Sequence, residues 1–354
     1  MQANLFNPLT HPVLTELLDA NRRFALNAKG TTNHCPMALI ALAQMGADAQ
    51  RLRQFFNHWE QKYALPAPAI GTPIARTNWR SALGETDQFE ALQACFEAWI
   101  MDDGIDAILQ QVFSSIPFAP ATGAFHGLIR LAYGLEAAHT GEMAAGLAYM
   151  VIGHLAVNGS ENGSENGAAK VTSAAQGLAT LSSALAGCEF SGAPITGKLR
   201  GVAADPRFIA ALPILPATPA VLEEIAHLAI AAYWQTKDFT VLHMVTASHA
   251  ARLVFARLPA DWVTRLLPQF WNAVCAAYVS VGAPALTPVA ALEAQAKAQA
   301  PSQTRAEDWP KLFQAAVAAN NDHVIKMSYT CYCENLIHPS PLYFASAKRL
   351  VAPD

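Results

Sequence analysis

Eleven histidines are the residues of this chain whose type and placement best suit chemistry. Several lie inside apolar stretches with helical spacing, where burial is expected. These are His126, His154, His227, His243, His249 and His323, whereas His34 directly precedes an apparent helix start at Cys35 and Pro36. His11, His58, His139 and His338 have polar or turn-like neighbours and are expected at the surface.

Buried imidazoles indicate a specific kind of site. Each ring needs a partner for both nitrogens, and a shared metal ion satisfies one nitrogen of several rings at once. Neutral imidazole suits iron, zinc or copper. The wide sequence separation excludes zinc-finger and HExxH spacing, and favours a site assembled inside a helical bundle from several facing helices. A histidine hydrogen-bonded within the core remains the alternative at each position taken singly.

Helical geometry separates some of the candidates. At ~100° per residue, His323 and Lys326 lie within one turn on the same face. His243 and His249 point ~120° apart on a regular helix, so both are not expected at one ion. Lys326 stands between Ile325 and Met327. Because a buried ammonium is costly without a partner, this lysine meets a carboxylate, is chemically altered, or extends outward to solvent.

Composition limits the class of protein. Hydrophobic residues make up 53% of the 354 residues and charged residues 14%, which favours a thick helical body or one enclosing an apolar cavity. The net charge of −4 gives no electrostatic case for nucleic acid. The longest apolar stretches, 143–157 and 209–222, are too short or too interrupted by proline for a membrane span, which needs about 20 residues. The start lacks the pattern of a signal peptide, and six scattered cysteines suggest reduced thiols, so a cytoplasmic location is expected.

The pattern predicts an all-α fold with one large multi-helix domain over residues 1–354 and a metal site between helices. A flexible surface loop is expected at 158–167, which reads NGSENGSENG, and a long proline- and glycine-rich connection between 187 and 219. No GxGxxG after a strand, P-loop or GxSxG sequence occurs, so a nicotinamide or flavin fold has no support. Helices are predicted at 36–63, 86–100, 122–138, 141–156, 169–187, 219–233, 237–257, 261–282, 285–299, 306–319 and 321–335.

Four blocks resemble the questin oxidase-like family: Thr32–Leu39 with its downstream apolar positions, Phe125–Glu136, Phe239–Ala250 and Asp322–Lys326. The resemblance implies an oxidoreductase acting on an aromatic or polyketide-type small molecule. Relatives are described as non-haem iron oxygenases or as NADPH-dependent Baeyer–Villiger-type oxidases without bound metal. Plentiful candidate ligands and the absence of a nicotinamide motif favour Fe(II) and dioxygen. A non-catalytic helical small-molecule-binding protein is the alternative from another class.

Carried onto this sequence, the resemblance implies metal ligands at His34, His126, His243 and His323, with Lys326 as a fifth ligand. As a hypothesis, Lys326 is carboxylated to a carbamate. His249 is then a supporting or substrate-binding residue, although an exchange of roles with His243 stays open.

Arg130 shares a helix face with His126 and is expected to bind an anionic group of the substrate if it faces the pocket. Phe125, Tyr133, Trp234 and Tyr329 are candidates for the pocket wall, although core packing explains them equally well. The sequence leaves the substrate, the identity of the metal and the oligomeric state open.

Overall fold

The computed structural model describes residues 12–157, 169–299 and 308–351, and the regular secondary structure of this part of the chain is almost entirely helical. The prediction of an all-α fold is confirmed. Two short antiparallel strands, Asn27–Ala28 (β1) and Thr31–Thr32 (β2), pair with Asn27 opposite Thr32. The α-helices are α1 (Pro12–Ala20), α2 (Cys35–Gln44), α3 (Ala49–Tyr63), α4 (Phe89–Asp103), α5 (Ile105–Ser115), α6 (His126–Glu136), α7 (Thr140–Ile152), α8 (Ala174–Leu185), α9 (Ile195–Ala204), α10 (Pro206–Ala211), α11 (Pro219–Thr236), α12 (Phe239–Phe255), α13 (Ala260–Ser280), α14 (Val289–Gln299), α15 (Asp308–Ala318), α16 (Asp322–Ile337) and α17 (Pro341–Val351). Short 3-10 helices lie at Asn21–Arg23, Trp79–Ala82 and Thr86–Gln88.

Helices α2, α6, α12 and α16 form the centre of the molecule. Every residue of α2 is buried, as are residues 126–134 of α6, 240–251 of α12 and 325–331 of α16. Helices α3, α7, α11, α13 and α17 pack around them. A helix that is buried on all sides is normally apolar all round. The histidines and the lysine of these four helices are therefore exceptions that need a physical reason.

Small residues let α7 approach α6 closely. A Cβ atom added at Gly146 would lie 2.3 Å from the backbone nitrogen of Leu131, and one at Gly134 would lie 2.6 Å from that of Met143. Contacts this short exclude any larger residue unless the helices move apart. The glycines therefore set the position of α6 in the bundle.

Local signals determine where the central helices begin. The Asp238 carboxylate accepts from the backbone N–H groups of Thr240 and Val241, which starts α12. The Asn321 side chain accepts from the N–H groups of His323 and Val324, which starts α16. Proline in the first turn starts α2. As a result, three histidines singled out in the sequence lie near these helix starts: His34 directly before α2, His323 second in α16 and His243 one turn into α12.

The structure corrects several sequence-based boundaries. The helix predicted at 36–63 is two helices, α2 and α3, because the chain turns at Gly46 with a φ of 90°. The connection predicted between 187 and 219 contains α9 and α10, the latter started by Asp205 and a proline in its first turn. Helices α1, α5 and α17 were not predicted.

Two further sequence-based expectations concern the position of His139 and the loop at 158–167. His139, expected at the surface, is buried and caps α7, since its Nδ1 accepts from the backbone N–H of Glu142. The loop predicted at 158–167 lies outside the described residues.

Buried apolar residues from Leu14 to Ala347 form one continuous core, while the division of the chain into domains stays a prediction. Within the described ranges, no helix combines the length and apolar character needed to cross a membrane.

Candidate metal centre

Four imidazole rings meet in the middle of the bundle, one from each central helix start. We call His34, His126, His243 and His323 the histidine quartet. Neighbouring rings lie with centroids 4.5 Å apart for His34 and His126, 4.8 Å for His126 and His243, 5.3 Å for His243 and His323, and 4.7 Å for His323 and His34. The rings therefore close a circle although their positions span nearly 290 residues of sequence. One ring nitrogen from each of His34, His126 and His323 lies within 4.8 Å of the others.

The outward nitrogen of every quartet ring has an oxygen partner. Nδ1 of His126 lies 2.5 Å from the carbonyl oxygen of Gly123, and Nδ1 of His243 lies 2.7 Å from that of Phe239. A carbonyl oxygen can only accept, so both Nδ1 atoms carry the proton. The two oxygens of Asp322 accept from the other two rings, at 2.5 Å from His34 and 2.7 Å from His323.

The remaining nitrogen of every quartet ring has no partner. All four Nε2 atoms are buried and make no hydrogen bond. Since each Nδ1 holds the ring proton, each Nε2 carries a free lone pair. The His243 ring packs against those of His126 and His323, but its nitrogens lie outside the group of three that are mutually within 4.8 Å. Buried acceptors this close together are unfavourable unless a cation or a hydrogen-bond donor lies between them. Metal-binding histidines typically have this arrangement, with the other ring nitrogen bound to a carbonyl or carboxylate.

The electrostatic environment keeps the quartet neutral. Burial, with the nearby Lys326, lowers the pKa of His34 to about 3. Burial also lowers the pKa of His126 and His243 well below the usual value, and that of His323 by a smaller amount. Neutral imidazole is the form that binds metals, so no proton has to leave before a metal ion binds at neutral pH.

The Asp322 carboxyl stays ionised beneath the quartet. Burial alone would raise its pKa, but the adjoining His34 and the N–H donors of His323 and His34 hold the pKa well below its usual range. One carboxylate thereby orients two of the four rings.

Lys326 lies one turn after His323 on α16 and is 2% exposed. Burial lowers the pKa of this lysine to about 8, opposed by the charge of Asp322. Its own charge depresses the pKa of all four quartet histidines, so it lies close to them. Among the described residues no carboxylate forms an ion pair with it. The lysine therefore borders the quartet as a buried amine.

His249 lies apart from the quartet, as the angle from His243 on α12 predicts. Its Nδ1 is 2.9 Å from Glu334, which also accepts from Arg252. Burial would lower the pKa of His249, but the Cys333 thiol and the Glu334 carboxylate raise it to about 10. His249 is therefore a protonated partner of Glu334, chemically unlike the neutral quartet, and the geometry favours His243 over it as a ligand.

Arg130 does not join the quartet either. Its Nε lies 2.6 Å from one oxygen of Glu142 and its Nη2 3.1 Å from the other, and both side chains are buried between α6 and α7. Glu142 accepts from two of the five N–H donors of Arg130, and the predicted role of Arg130 in binding an anionic substrate group stays a prediction.

The predicted pocket-wall residues are divided by the structure. Phe125 is fully buried directly before His126, with a φ of 70°. Tyr133 and Tyr329 approach each other with ring centroids 6.3 Å apart. Trp234 packs against Arg349, whose guanidinium carbon lies 4.4 Å from the centroid of its ring.

Sequence reasoning missed two residues of the site. Asp322 has no role in the sequence-based prediction, although an acid next to a histidine at a helix start is a recognisable signal for an orienting carboxylate. Phe239 packs its ring 4.8 Å from His243 and 4.5 Å from His323, and is 48% exposed. It therefore covers one side of the quartet toward solvent.

Two cavities flank the central helices. One of about 260 Å³ is lined by Gly123, whose carbonyl orients His126, and by Tyr149 and Arg200. Another of about 440 Å³ lies at the far end of α2, between Trp309, Phe313 and Tyr332. Neither is lined by a quartet side chain, but the first reaches the loop that holds one of the rings.

Comparison with known proteins agrees with the resemblance seen in the four sequence blocks. No curated protein matches this chain. A family model described as questin oxidase-like matches residues 31–331, which include all four quartet histidines, Asp322 and Lys326. The chain belongs to the questin oxidase-like family.

Proposed function

We propose that the protein is a non-haem iron oxygenase that acts on an aromatic, polyketide-type small molecule. Family membership suggests an oxidoreductase with a polyketide-type substrate. The observation that supports the metal is the histidine quartet, in which every Nδ1 has a partner and every buried Nε2 has none. Neutral imidazoles with an oxygen ligand are a donor set that suits iron.

The residues divide the work of such a site between them. The quartet histidines hold the ion through Nε2, and a ferrous ion there would supply the dioxygen chemistry that no side chain offers. Asp322 and the carbonyls of Gly123 and Phe239 fix the ring orientations. The buried helices around the rings exclude water, and Phe239 limits access from outside.

We further propose that Lys326 is carboxylated. Its unprotonated Nζ attacks the carbon of carbon dioxide, an N–C bond forms, and Nζ releases one proton to water. The product is a carbamate whose anionic oxygen can bind the ion. This change removes the cost of a buried cation beside four neutral rings. The support is positional: the lysine is buried, borders the quartet and forms no ion pair within the described residues.

Metal analysis of protein purified without chelator tests the iron proposal. We expect about one equivalent of iron, lost in His126→Ala and retained in His227→Ala, whose imidazole pairs with Glu293 outside the site. Less than roughly a tenth of an equivalent of any transition metal would refute it. If His126→Ala lowered the melting temperature but left metal content unchanged, the histidines would be structural and the protein a binding module.

Variants at Lys326 test the carbamate separately. Lys326→Ala should lose metal, added bicarbonate should not restore it, and Lys326→Glu should restore part of it by supplying a carboxylate. Lys348→Ala, at an exposed position, serves as the control. Protein equilibrated with ¹³C-bicarbonate should show a carbamate carbon signal that is absent from Lys326→Ala. Full metal content in Lys326→Ala would reject the carbamate while leaving the quartet proposal intact.

A further inference from the structure

A row of side chains on α16 leads from the quartet toward the surface. Its members follow one another at intervals of three residues: His323, Lys326, Tyr329 and Tyr332. Side chains three apart are neighbours on a helix surface, and at 1.5 Å per residue the whole row is about 13–14 Å long. Tyr329 is 6% exposed, whereas Tyr332 is only partly buried and lines the cavity of about 440 Å³. Two oxidisable rings therefore connect the quartet region with an open cavity.

A tryptophan extends this row at the cavity. The ring centroid of Trp309 on α15 lies 5.3 Å from that of Tyr332, and both side chains line the cavity. Tyrosine and tryptophan rings lose one electron to strong oxidants, whereas a phenylalanine ring such as that of Phe313, 4.9 Å from Tyr332, does not. Because the rate of electron tunnelling falls exponentially with distance, several short steps between such rings are faster than one long step.

The hydroxyl of Tyr329 has the partner that oxidation of a tyrosine requires. A phenol that loses an electron becomes strongly acidic, so a proton acceptor must be in hydrogen-bond contact with it. Tyr329 donates to Oε1 of Glu136, the last residue of α6. Burial raises the pKa of the Glu136 carboxyl above its usual value, which favours uptake of that proton. The hydroxyl of Tyr149, in contrast, lies against the backbone of Gly123.

We propose that Tyr329, Tyr332 and Trp309 form an electron-transfer path that reduces an oxidised metal centre in the quartet when no substrate is bound. The inference rests on the proposed function, because the oxidant, dioxygen or hydrogen peroxide, would react at that metal. In each one-electron step, Tyr329 gives an electron to the oxidised centre and its proton to Oε1 of Glu136. Tyr332 then returns an electron to Tyr329, which takes the proton back. Trp309 replaces that electron, and a small reductant such as ascorbate restores Trp309 from the cavity.

Two such electrons, with two protons from the solvent, reduce one hydrogen peroxide molecule to two water molecules. The path thereby gives the protein a further, peroxidase-type activity. This activity would protect the quartet imidazoles, which are otherwise the groups next to the oxidant.

Freeze-quench electron paramagnetic resonance of metal-loaded protein mixed with hydrogen peroxide tests the path. The wild type should form a radical whose spectrum narrows when its tyrosines are ring-deuterated. Tyr329→Phe should remove most of this signal, and Glu136→Gln should lower it several-fold because an amide does not take up the proton. Trp309→Phe should instead prolong the radical several-fold in the presence of ascorbate. The matched controls Tyr278→Phe and Trp234→Phe, buried rings on α13 and α11, should change neither yield nor lifetime.

Three results would overturn the path. They are a radical yield unchanged in Tyr329→Phe, loss of the signal in Tyr149→Phe instead, and a lifetime unchanged in Trp309→Phe. Peptide mass spectrometry provides a second readout. Oxidation of the quartet histidines by peroxide should rise several-fold in Tyr329→Phe, and equal oxidation in that variant and the wild type would contradict the protective role.

Metal-free protein separates this inference from the iron proposal. A soluble ruthenium photo-oxidant with persulfate oxidises rings at the cavity, and the path should then place the radical on Tyr329, so that Tyr329→Phe lacks it. If the purified protein bound no metal, the iron proposal would fall, whereas the path would stand or fall on this radical alone. If the protein bound iron but neither peroxide nor light oxidised Tyr329, the path would be wrong and the iron proposal would be unaffected.

Discussion

Replacing Asp322 with asparagine should test most directly how the quartet is held. The carboxylate accepts from Nδ1 of His34 and of His323, one oxygen to each ring. An amide of the same shape keeps one acceptor and places an NH₂ donor against the other Nδ1–H. That ring then avoids the donor clash only by moving its proton to Nε2, which removes the lone pair needed for a metal.

The size of the effect follows from the number of rings affected. Loss of one orienting partner typically costs 10–100-fold in metal affinity. Because a single carboxylate orients two ligands here, we expect Asp322→Asn to weaken metal binding by about 100-fold, or about 2.7 kcal/mol. Loss of the negative charge acts in the same direction, since a cation would be less attracted to the site.

The assay is competition against a chelator of known affinity, followed by metal analysis of the protein. Asp261→Asn is the matched control, because Asp261 is also an acid in the first turn of a helix but lies on the surface of α13. The control should leave affinity unchanged. A change of less than about threefold in Asp322→Asn would show that carbonyl partners and packing alone orient the rings. A lower melting temperature with unchanged affinity would likewise contradict the reasoning.

Three other predictions concern the surrounding structure. Gly146→Ala should destabilise the fold by about 3 kcal/mol in chemical denaturation, since the new Cβ meets the backbone of α6, whereas Gly71→Ala, with open space around it, should be neutral; equal stability of the two variants would contradict the close packing. The ion pair of Glu334 and His249 should make stability depend on pH. Although burial opposes both shifts, the partners lower the pKa of Glu334 from 4.5 to about 2 and raise that of His249 from 6.5 to about 10. The stability that this ion pair contributes is therefore lost as pH falls below 4.5 toward 2, and again as pH rises above 6.5 toward 10. Glu334→Gln should reduce the pH dependence of the free energy of unfolding in both ranges, as measured by denaturation curves at several pH values. An unchanged pH dependence in this variant would argue against the pair. Phe239→Ala should cost about 1 kcal/mol of stability because the ring is half exposed, yet it should speed metal loss to a chelator several-fold; an unchanged rate would show that metal leaves by another route.

The sequence predicts the helical fold well because the signals for a helix lie within the segment that forms it. Apolar spacing and the choice of capping residues are read within one segment, and most of the predicted helices are present. Helices are missed where a segment carries signals for both a loop and a helix start. Prolines and glycines between 187 and 219 predict a loop, but Asp205 followed by proline is also a helix start.

The site could be predicted only in part, for a different reason. The resemblance to a family, more than spacing, singled out the four histidines that the structure brings together. Their orientation depends on partners distant in sequence, such as Asp322, which lies 288 residues from His34. The same limit explains Arg130, whose pairing with Glu142 depends on how α7 folds back on α6. The spacing of residues along one helix shows which side chains share a face, but it does not show which side chain of another helix pairs with a charged residue.

The position of the quartet at helix starts connects the fold to the chemistry. His34 precedes α2, His126 begins α6, His323 is second in α16, and His243 lies one turn into α12. Each helix start carries partial positive charge from unpaired N–H groups. This field disfavours protonated imidazole and favours an anion, so it acts in the same direction as the burial that lowers the pKa of Lys326. The positive charge of an ammonium group on Lys326 is unfavourable near the partial positive charge of the helix starts. A carbamate on that lysine would replace it with a negative charge, which both the helix starts and a bound cation would attract. Within the quartet, the fold therefore favours the same charge state that metal binding requires.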